Sequence, residues 1–583
     1  MRHPFTSGSL AVVLVLAWAC DTPTQGEQSP QTITLSIVAT NDVHGGLLER
    51  DGRGGLATFG GYLNNLRATR KRDGGVLLVD AGDMFQGTVE SNLAEGAPVV
   101  AAYNSLGYAA AAIGNHEFDF GVAGPGVAPR GSSSDLRGAL KARAVEAKFP
   151  FLAANLIDTM TGRPMNWPNV RPSVVVDVAS VQIGLIRVMT LRALSATIAT
   201  ATGGLRVNPL AATLLAEAQS LRRNGADFVV ALAHAGGRCT RFDDPKDLSS
   251  CDLSSSEIAA VLRQLPSGTI ELVASGHTHA GMAHEIDGTI VMQAFSKGTA
   301  FSRADLTVDR RTKKVVEKRV FPPRDVCARV YEGTRRCDAQ AAGNRALVPA
   351  EYEGRPVSAD SAIARVIAPA VERVKAHAGE SLGVVLETPI RAALIGTESP
   401  LGNLFADAML SAIPDVDIAI NNTRGGLRAD LARGPLTYGR LYETFPFDNR
   451  LVRLELSGAE LRRVFELQLG EGRALPGIAG VRVAASCRNS RLAIVMTRTS
   501  GRTVRDDDRL VVITHAFLAT GGDRLLTPVM PPGGFPLDDD LPLVRDVVAD
   551  WLEDRGGRLR ENQLINTAQP RWRYSGTLPL VCR

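Results

Sequence analysis

No block of five or more like charges occurs in this chain of 583 residues, and 65 Lys and Arg against 61 Asp and Glu leave a formal charge of only +4. That near-balance excludes the basic face a nucleic-acid polymer would need. Long apolar runs are missing too. The longest candidate, Leu10 to Ala19 in "MRHPFTSGSLAVVLVLAWAC", is too short to span a bilayer. The chain has no internal repeat and no low-complexity segment beyond a short N-terminal stretch. Cysteine is scarce, at seven residues.

What is present begins with an export signature. A weakly basic start followed by a short apolar run reads as a signal segment over 1–20. It ends in Cys20 after small residues, as bacterial lipoprotein signals do, although Trp18 is bulky for such a site; the other reading is an ordinary cleaved signal with an incidental cysteine. The stretch 21–31, "DTPTQGEQSPQ", reads as a flexible tether. Setting Cys20 aside leaves an even set: Cys239, Cys251, Cys327, Cys337, Cys487 and Cys582. In an oxidising compartment these could close two short loops, 239 to 251 and 327 to 337, and one long one, 487 to 582; six buried thiols is the alternative, and sequence does not fix the pairing.

The length exceeds what one hydrophobic core serves, so at least two domains are expected. From Thr32 to about Phe321 short apolar runs alternate with polar clusters and helical stretches, the pattern of a layered α/β domain. The runs are "ITLSIVAT", "GVLLVDAGD", "YAAAAIGN", "QIGLIRVMT", "ADFVVALAH" and "TIELVASGH", and most end in a residue able to bind metal. A helix is predicted over 358–377, with Ser and Asp near its start as caps, linking this region to a second one that mixes strands ("VDIAIN", "RLVRLELS", "RLVVITHAFLA") with amphipathic helices ("LGNLFADAML").

Five polar clusters follow the apolar runs: Asn41, Asp42 and His44; Asp83; Asn115, His116, Glu117 and Asp119; His234; His277 and His279. In an open α/β sheet, groups at the carboxyl ends of strands converge even when distant in sequence. Carboxylates combined with imidazoles suit Mn, Zn or Fe, and the set is large enough for two divalent ions bridged by a carboxylate. Two such ions serve hydrolytic displacement at phosphorus. His284, His377 and His515 read as structural or solvated.

"NDVHG", "DAGDMFQGT", "GNHEFD", the single His of "AHAGG" and "SGHTH" together resemble the motif series of the calcineurin-like metallophosphoesterases, in the order found in the exported 5'-nucleotidase family. The resemblance continues over nearly all of the chain after the tether. It implies a four-layer α/β/β/α phosphoesterase domain over 32–345, a linker with connecting helix over 346–379, and an α+β substrate-binding domain over 380–583. It further implies one metal held by Asp42, His44, Asp83 and His279, and a second by Asp83, Asn115, His234 and His277, with Asp83 bridging. His116 and Asp119 match the family's catalytic dyad. Glu117 matches no family role and reads as a structural or solvent-facing carboxylate.

In the second region "NNTRGGLRADL", "TFPFDNRL" and "THAFLATGGDRL" resemble the family's substrate segments. Phe447 and Phe517 fall where two rings sandwich a base, Asp523 where the ribose hydroxyls are contacted, Arg428 near the phosphate or sugar, and Asn422 in the same loop. Two departures bear on substrate. The loop after Asn422 is one residue longer than the family's, and Thr397 stands where many nucleotidases have arginine; Arg424 reads either as its substitute or as a solvated charge. The implied activity is hydrolysis of nucleoside 5'-monophosphates, by an exported periplasmic or cell-surface protein with no membrane contact beyond a lipid at Cys20. Alternatives are a 2',3'-cyclic phosphodiesterase with 3'-nucleotidase activity, a UDP-sugar hydrolase, a thiosulfohydrolase-like relative, or a nonenzymatic surface protein that binds nucleotides or a partner.

Overall fold

The computed structural model describes residue 1 and residues 31–124, 135–197, 199–338, 341–392, 398–532, 534–537 and 541–582. Apart from Met1 and Gln31, the signal and the tether, with Cys20, lie outside the described residues, as does Thr397. No helix among the described residues is long and apolar enough to cross a membrane.

Two sheets form the centre of the first lobe. In the seven-stranded one, Thr32–Thr40 lies between the antiparallel strand Ala300–Asp309 and the parallel strand Gly74–Asp80, and Ala110–Ala112, Phe151–Leu152 and Val170–Arg171 continue it in parallel. In the six-stranded one, Phe228–His234 runs parallel to Val181–Met189 and Leu272–Ser275. Both are covered on both faces, which explains runs that are apolar at nearly every position rather than at every second one. Alternation within a run then decides which layer a residue enters. Ile37, Leu77 and Val79 point between the sheets and meet Ile183, Leu185, Val230 and Leu232. Val38 and Leu78 point outward, under Phe59, Tyr62 and Leu63 of the helix Leu56–Arg70 and Val99 and Tyr103 of Ala97–Leu106. On the far side Val229, Ala231 and Val273 pack under Leu214 and Leu221 of Leu210–Arg223 and Ile258 and Leu262 of Glu257–Leu262. The order is thus helix, sheet, sheet, helix.

The helix between the lobes spans Ser361–Ala378 and is capped by Asp360, whose carboxylate accepts from the backbone N–H groups of Ala362 (2.8 Å) and Ile363 (3.2 Å). Ile363 and Ile367 enter the first lobe's core, and Val374 packs with Val89 of the first lobe and Tyr442 of the second. In the second lobe a sheet in the order Leu451–Ser457, Arg509–His515, Ile418–Asn421, Gly477–Ala479 is covered on one face by the helices Pro400–Ala412 and Val544–Arg555. The helix Gly458–Gly470 and the hairpin Val481–Arg488/Arg491–Arg498 cover the other. Of the expected strand "RLVVITHAFLA", only the part up to His515 is extended; Ala516–Ala519 turns into a short helix.

Three disulfides, Cys239–Cys251, Cys327–Cys337 and Cys487–Cys582, realise the pairing the sequence left open. The last closes a separation of 95 residues and holds the chain end against the second lobe, where Trp572 pairs beside Val483 and is buried. Replacing Cys487 and Cys582 together by Ser should lower unfolding stability by about 2–5 kcal/mol. Denaturant titration of the purified variant checks this.

Candidate active site

All five polar clusters sit at carboxyl ends of parallel strands, and the turns that follow bring them together. The backbone N–H of Asp42 donates to Gly82 O (2.9 Å), that of His44 to Asp83 O (3.0 Å), and that of Gly45 to Met84 O (2.9 Å), so the first two loops run as a pair. Asp42, His44, Asp83, His277 and His279 all have positive φ, between 47° and 75°. Residues with a Cβ adopt this region at a cost, and such strain concentrates where surrounding structure enforces a functional geometry.

Glu117 is one enforcer. Fully buried, its carboxylate accepts from the backbone N–H groups of Asp83 (2.9 Å), Met84 (2.7 Å) and Gly114 (2.5 Å), tying the "GDMFQG" loop to the "GNHEFD" loop. Burial, and next the neighbouring Asp83 carboxylate, push Glu117 up to about 8. Below it lies Arg187, buried between the sheets with no hydrogen-bond partner for its guanidinium among the described residues and drawn down to about 9 by desolvation against the pull of Glu117 and Asp83. Gly114 has no alternative: a Cβ there would lie 2.1 Å from Asp83 Oδ1.

Two groups of ligand atoms result, each within 4.8 Å of one another: those of Asp42, His44 and His279, and those of Asp83, His234 and His277. Asp83 Oδ2 faces both groups, 3.1 Å from His234 Nε2 and 3.9 Å from His44 Nε2. Asn115 Oδ1 lies 3.1 Å from His234 Nε2. The ring orientations are set from behind. His44 Nδ1 donates to Gln86 O (2.8 Å) and His234 Nδ1 to Ala81 O (2.9 Å), which directs both Nε2 atoms inward. Asn41 steadies Asp42 through its Nδ2 (2.7 Å), and the His277 backbone N–H donates to the same carboxylate (2.9 Å).

Most of the protonation states suit cation binding; His234, which desolvation would lower but Asp83 outweighs and raises to about 9, has a proton to give up before it can hold a cation. Burial opposes the charge of Asp83, yet His234 and His116 hold it well below the usual carboxylate range; Asp42 is lowered too, as His279 outweighs desolvation. Burial, then Arg428, keeps His44 well below the ordinary imidazole range, and burial, then His234, brings His277 down to about 4. The facing Nε2 atoms of His44 and His279, 3.0 Å apart, and the ionised carboxylates beside them therefore form a donor set that fits divalent metal ions.

Beside this cluster His116 Nδ1 donates to Asp119 Oδ2 (2.5 Å), and the other oxygen of Asp119 accepts from the Thr197 hydroxyl (2.6 Å). His116 Nε2 faces the centre, where Arg428 of the second lobe donates to it (3.1 Å) and to His44 Nε2 (2.7 Å). The lobes also meet through Gln86 Nε2 and Pro446 O (2.7 Å), Arg50 and Glu443 (2.6 Å), and Lys297 Nζ and Arg428 O (3.3 Å).

From this junction a cleft of about 820 Å³ extends along the second lobe, lined by Asp83, Asn115, His116, Asp119, His277 and His279 at one end and by Asn422, Phe447, Phe517 and Asp523 at the other. Phe447 and Phe517 are half-buried, each partly packed against its core. Asn422 Nδ2 donates to Asp523 Oδ2 (2.6 Å). The metal-ligand, dyad and substrate residues singled out from the sequence are thus brought to one cleft or its floor, Thr397 lying outside the described residues. Those it did not single out are the supports: Gln86 and Ala81 act through backbone carbonyls, and Thr197 and Arg187 stand in no motif.

A metal-dependent phosphoesterase is the class that this fold and donor set define. The model of the calcineurin-like phosphoesterases matches residues 35–281, and that of the 5'-nucleotidase C-terminal domain matches 379–529. The chain belongs to the calcineurin-like metallophosphoesterases that carry a 5'-nucleotidase C-terminal domain. It is 25% identical over 532 residues to the endonuclease YhcR of Bacillus subtilis, covering 86% of this chain but only 38% of that protein, and 23% identical to a 5'-nucleotidase of Vibrio cholerae, covering 94% of this chain and 95% of that one. The crystal structure of a 5'-nucleotidase precursor from Thermus thermophilus superposes with a TM-score of 0.68 at 21% identity, covering 90% of this chain and 97% of that one.

Glu117→Gln replaces one of two acceptor oxygens by a donor facing backbone N–H groups. We expect divalent-metal affinity to fall about 10- to 100-fold, the range for supports of metal ligands, measured by equilibrium dialysis of the metal-free protein against Mn.

Proposed function

We propose that this protein is an exported dimetal phosphohydrolase that converts nucleoside 5'-monophosphates to nucleoside and phosphate. The observation that carries the reading is that one cleft joins the carboxylate and imidazole cluster to a pair of aromatic rings and a carboxylate, with Arg428 at the junction. The assigned ligands are Asp42, His44, Asp83 and His279 for one ion and Asp83, Asn115, His234 and His277 for the other, Mn and Zn being the ions such donors suit. Two divalent ions held there supply a water of lowered pKa and offset charge on phosphoryl oxygens.

The chain's own residues do the rest. Arg428 offers a planar pair of N–H donors, the geometry a phosphoryl group accepts. Asp119, itself held by Thr197, fixes the His116 ring so that Nε2 faces the reacting centre, where it steadies phosphate charge or protonates the leaving oxygen. Phe447 and Phe517 receive the base by stacking, which tolerates several bases. Asp523 accepts from the sugar hydroxyls, and Asn422 holds it. Because Arg428 reaches across to His44 and His116, substrate enters when the lobes part, and a rotation about Ser361–Ala378 would allow this. Three disulfides accord with export, and Cys20 is the proposed site of the lipid.

His116→Ala should lower kcat by about 10²- to 10⁴-fold with metal content nearly unchanged; loss of bound metal would contradict a role outside the ligand set. Substrate class is tested by phosphate release from AMP, UMP, a 2',3'-cyclic nucleotide and UDP-glucose after loading with Mn or Zn. Preference for the monophosphates is expected. Turnover confined to a generic aryl phosphate or to non-nucleotide esters would overturn the assignment.

A further inference from the structure

His515 ends the strand Arg509–His515 and was read from the sequence as structural or solvated; it is fully buried beneath the cleft. Its Nε2 lies 3.0 Å from Asn422 Oδ1, while Asn422 Nδ2 lies 2.6 Å from Asp523 Oδ2. An amide oxygen can only accept, so His515 Nε2 carries the proton and donates it. Flipping the amide would set its oxygen against the Asp523 carboxylate, so that contact fixes the orientation of Asn422 and the tautomer of His515 follows from it.

The imidazole stays neutral through the working pH range, because burial pushes it down to about 3. Among the described residues no ionisable group opposes this; its neighbours include Asn422 and the rings of Phe445 (6.0 Å) and Phe517 (6.2 Å, 13° from parallel). Gly426 is required for the fit, since a Cβ there would lie 2.3 Å from Asn422 Oδ1.

At the other end of the relay Asp523 has φ 51°, and its carbonyl accepts from Arg473 (2.9 Å), so backbone and side chain are both held. With Oδ2 taken by Asn422, Oδ1 remains. It lies on the side of the Gly425 turn, 4.0 Å from where a Cβ of that residue would stand, and both residues line the cleft.

We infer that His515, acting through Asn422, is a positioning residue that turns the free oxygen of Asp523 toward a vicinal diol, so that the second lobe selects ribosyl over 2'-deoxyribosyl esters. The inference rests on the nucleotidase reading above. A carboxylate fixed in this way accepts from two adjacent hydroxyls without having to be ordered by the substrate, whereas a deoxyribosyl ester leaves part of its acceptor capacity unmet.

The test is the ratio of kcat/KM for AMP and dAMP, with p-nitrophenyl phosphate as a substrate lacking a diol. The full-length mature protein should prefer AMP by about 10- to 100-fold, the range for one hydrogen bond to a charged group. His515→Phe, which keeps an aromatic ring but no donor, should bring the ratio to within about threefold of one, mainly through KM for AMP, with a much smaller effect on the aryl phosphate. His515→Gln, which restores a donor, should recover part of the preference. Asn422→Leu breaks the relay with the histidine intact, guards against a folding defect in the first variant, and should lose the preference equally; combined with His515→Phe it should lose no more. An unchanged ratio in folded variants, a wild-type ratio near one, or equal losses on all three substrates would overturn the relay alone. Turnover of the aryl phosphate with neither nucleotide accepted would overturn the nucleotidase reading itself.

Discussion

Asp83 has to remain ionised in a place with almost no water, and much of the first lobe serves that requirement. A lone buried carboxylate would take up a proton. Here His234 and His116 oppose this electrostatically, the His116 backbone N–H donates to its Oδ1 at 2.9 Å, and Glu117 anchors its own backbone. The φ of 59° at Asp83 and the absence of a side chain at Gly114 follow from the same need: the carboxylate must stand between two groups of imidazoles, and the neighbouring loop must make room. A pair of mixed sheets with parallel centres is well suited to this, since several parallel strands end on one edge and each can contribute a loop to the same small volume.

The second lobe obeys a different rule. Its site depends less on charge stabilisation than on fixed directions of hydrogen bonding and on apolar surface. Phe447 and Phe517 are anchored in different cores of that lobe, and between them Asn422 and Asp523 are oriented from below rather than by solvent. Arg428 belongs to the second lobe by sequence, yet its guanidinium reaches His44 and His116 of the first, so in the proposed lobe movement closure would also complete the reacting centre.

The parts legible in the sequence were those governed by local chemistry. "GDMFQG" and "SGHTH" announce themselves because ligand residues flanked by glycine at strand ends have few other uses, and the layered architecture follows from apolar runs too continuous for one-sided strands. The Ser361–Ala378 helix was legible from its spacing and cap. What sequence did not reveal depends on the third dimension. Thr197 meets Asp119 across 78 positions, and His515 meets Asn422 across 93, with no local pattern marking either. Glu117 sat inside a recognised motif, yet its work is done on backbone N–H groups 33 and 34 positions away, which no side-chain pattern encodes. The strand over 509–519 was cut short because the turn to Ala516–Ala519 is needed to place Phe517 beside the cleft.

The central claim is that one carboxylate serves two ions. It is tested most directly by anomalous diffraction from crystals of the full chain equilibrated with Mn. The account predicts two peaks about 3.5–4 Å apart with Asp83 between them, His44 and His279 on one side and His234 and His277 on the other. A single peak on one group of ligands, or two peaks with Asp83 bound to only one, would contradict it.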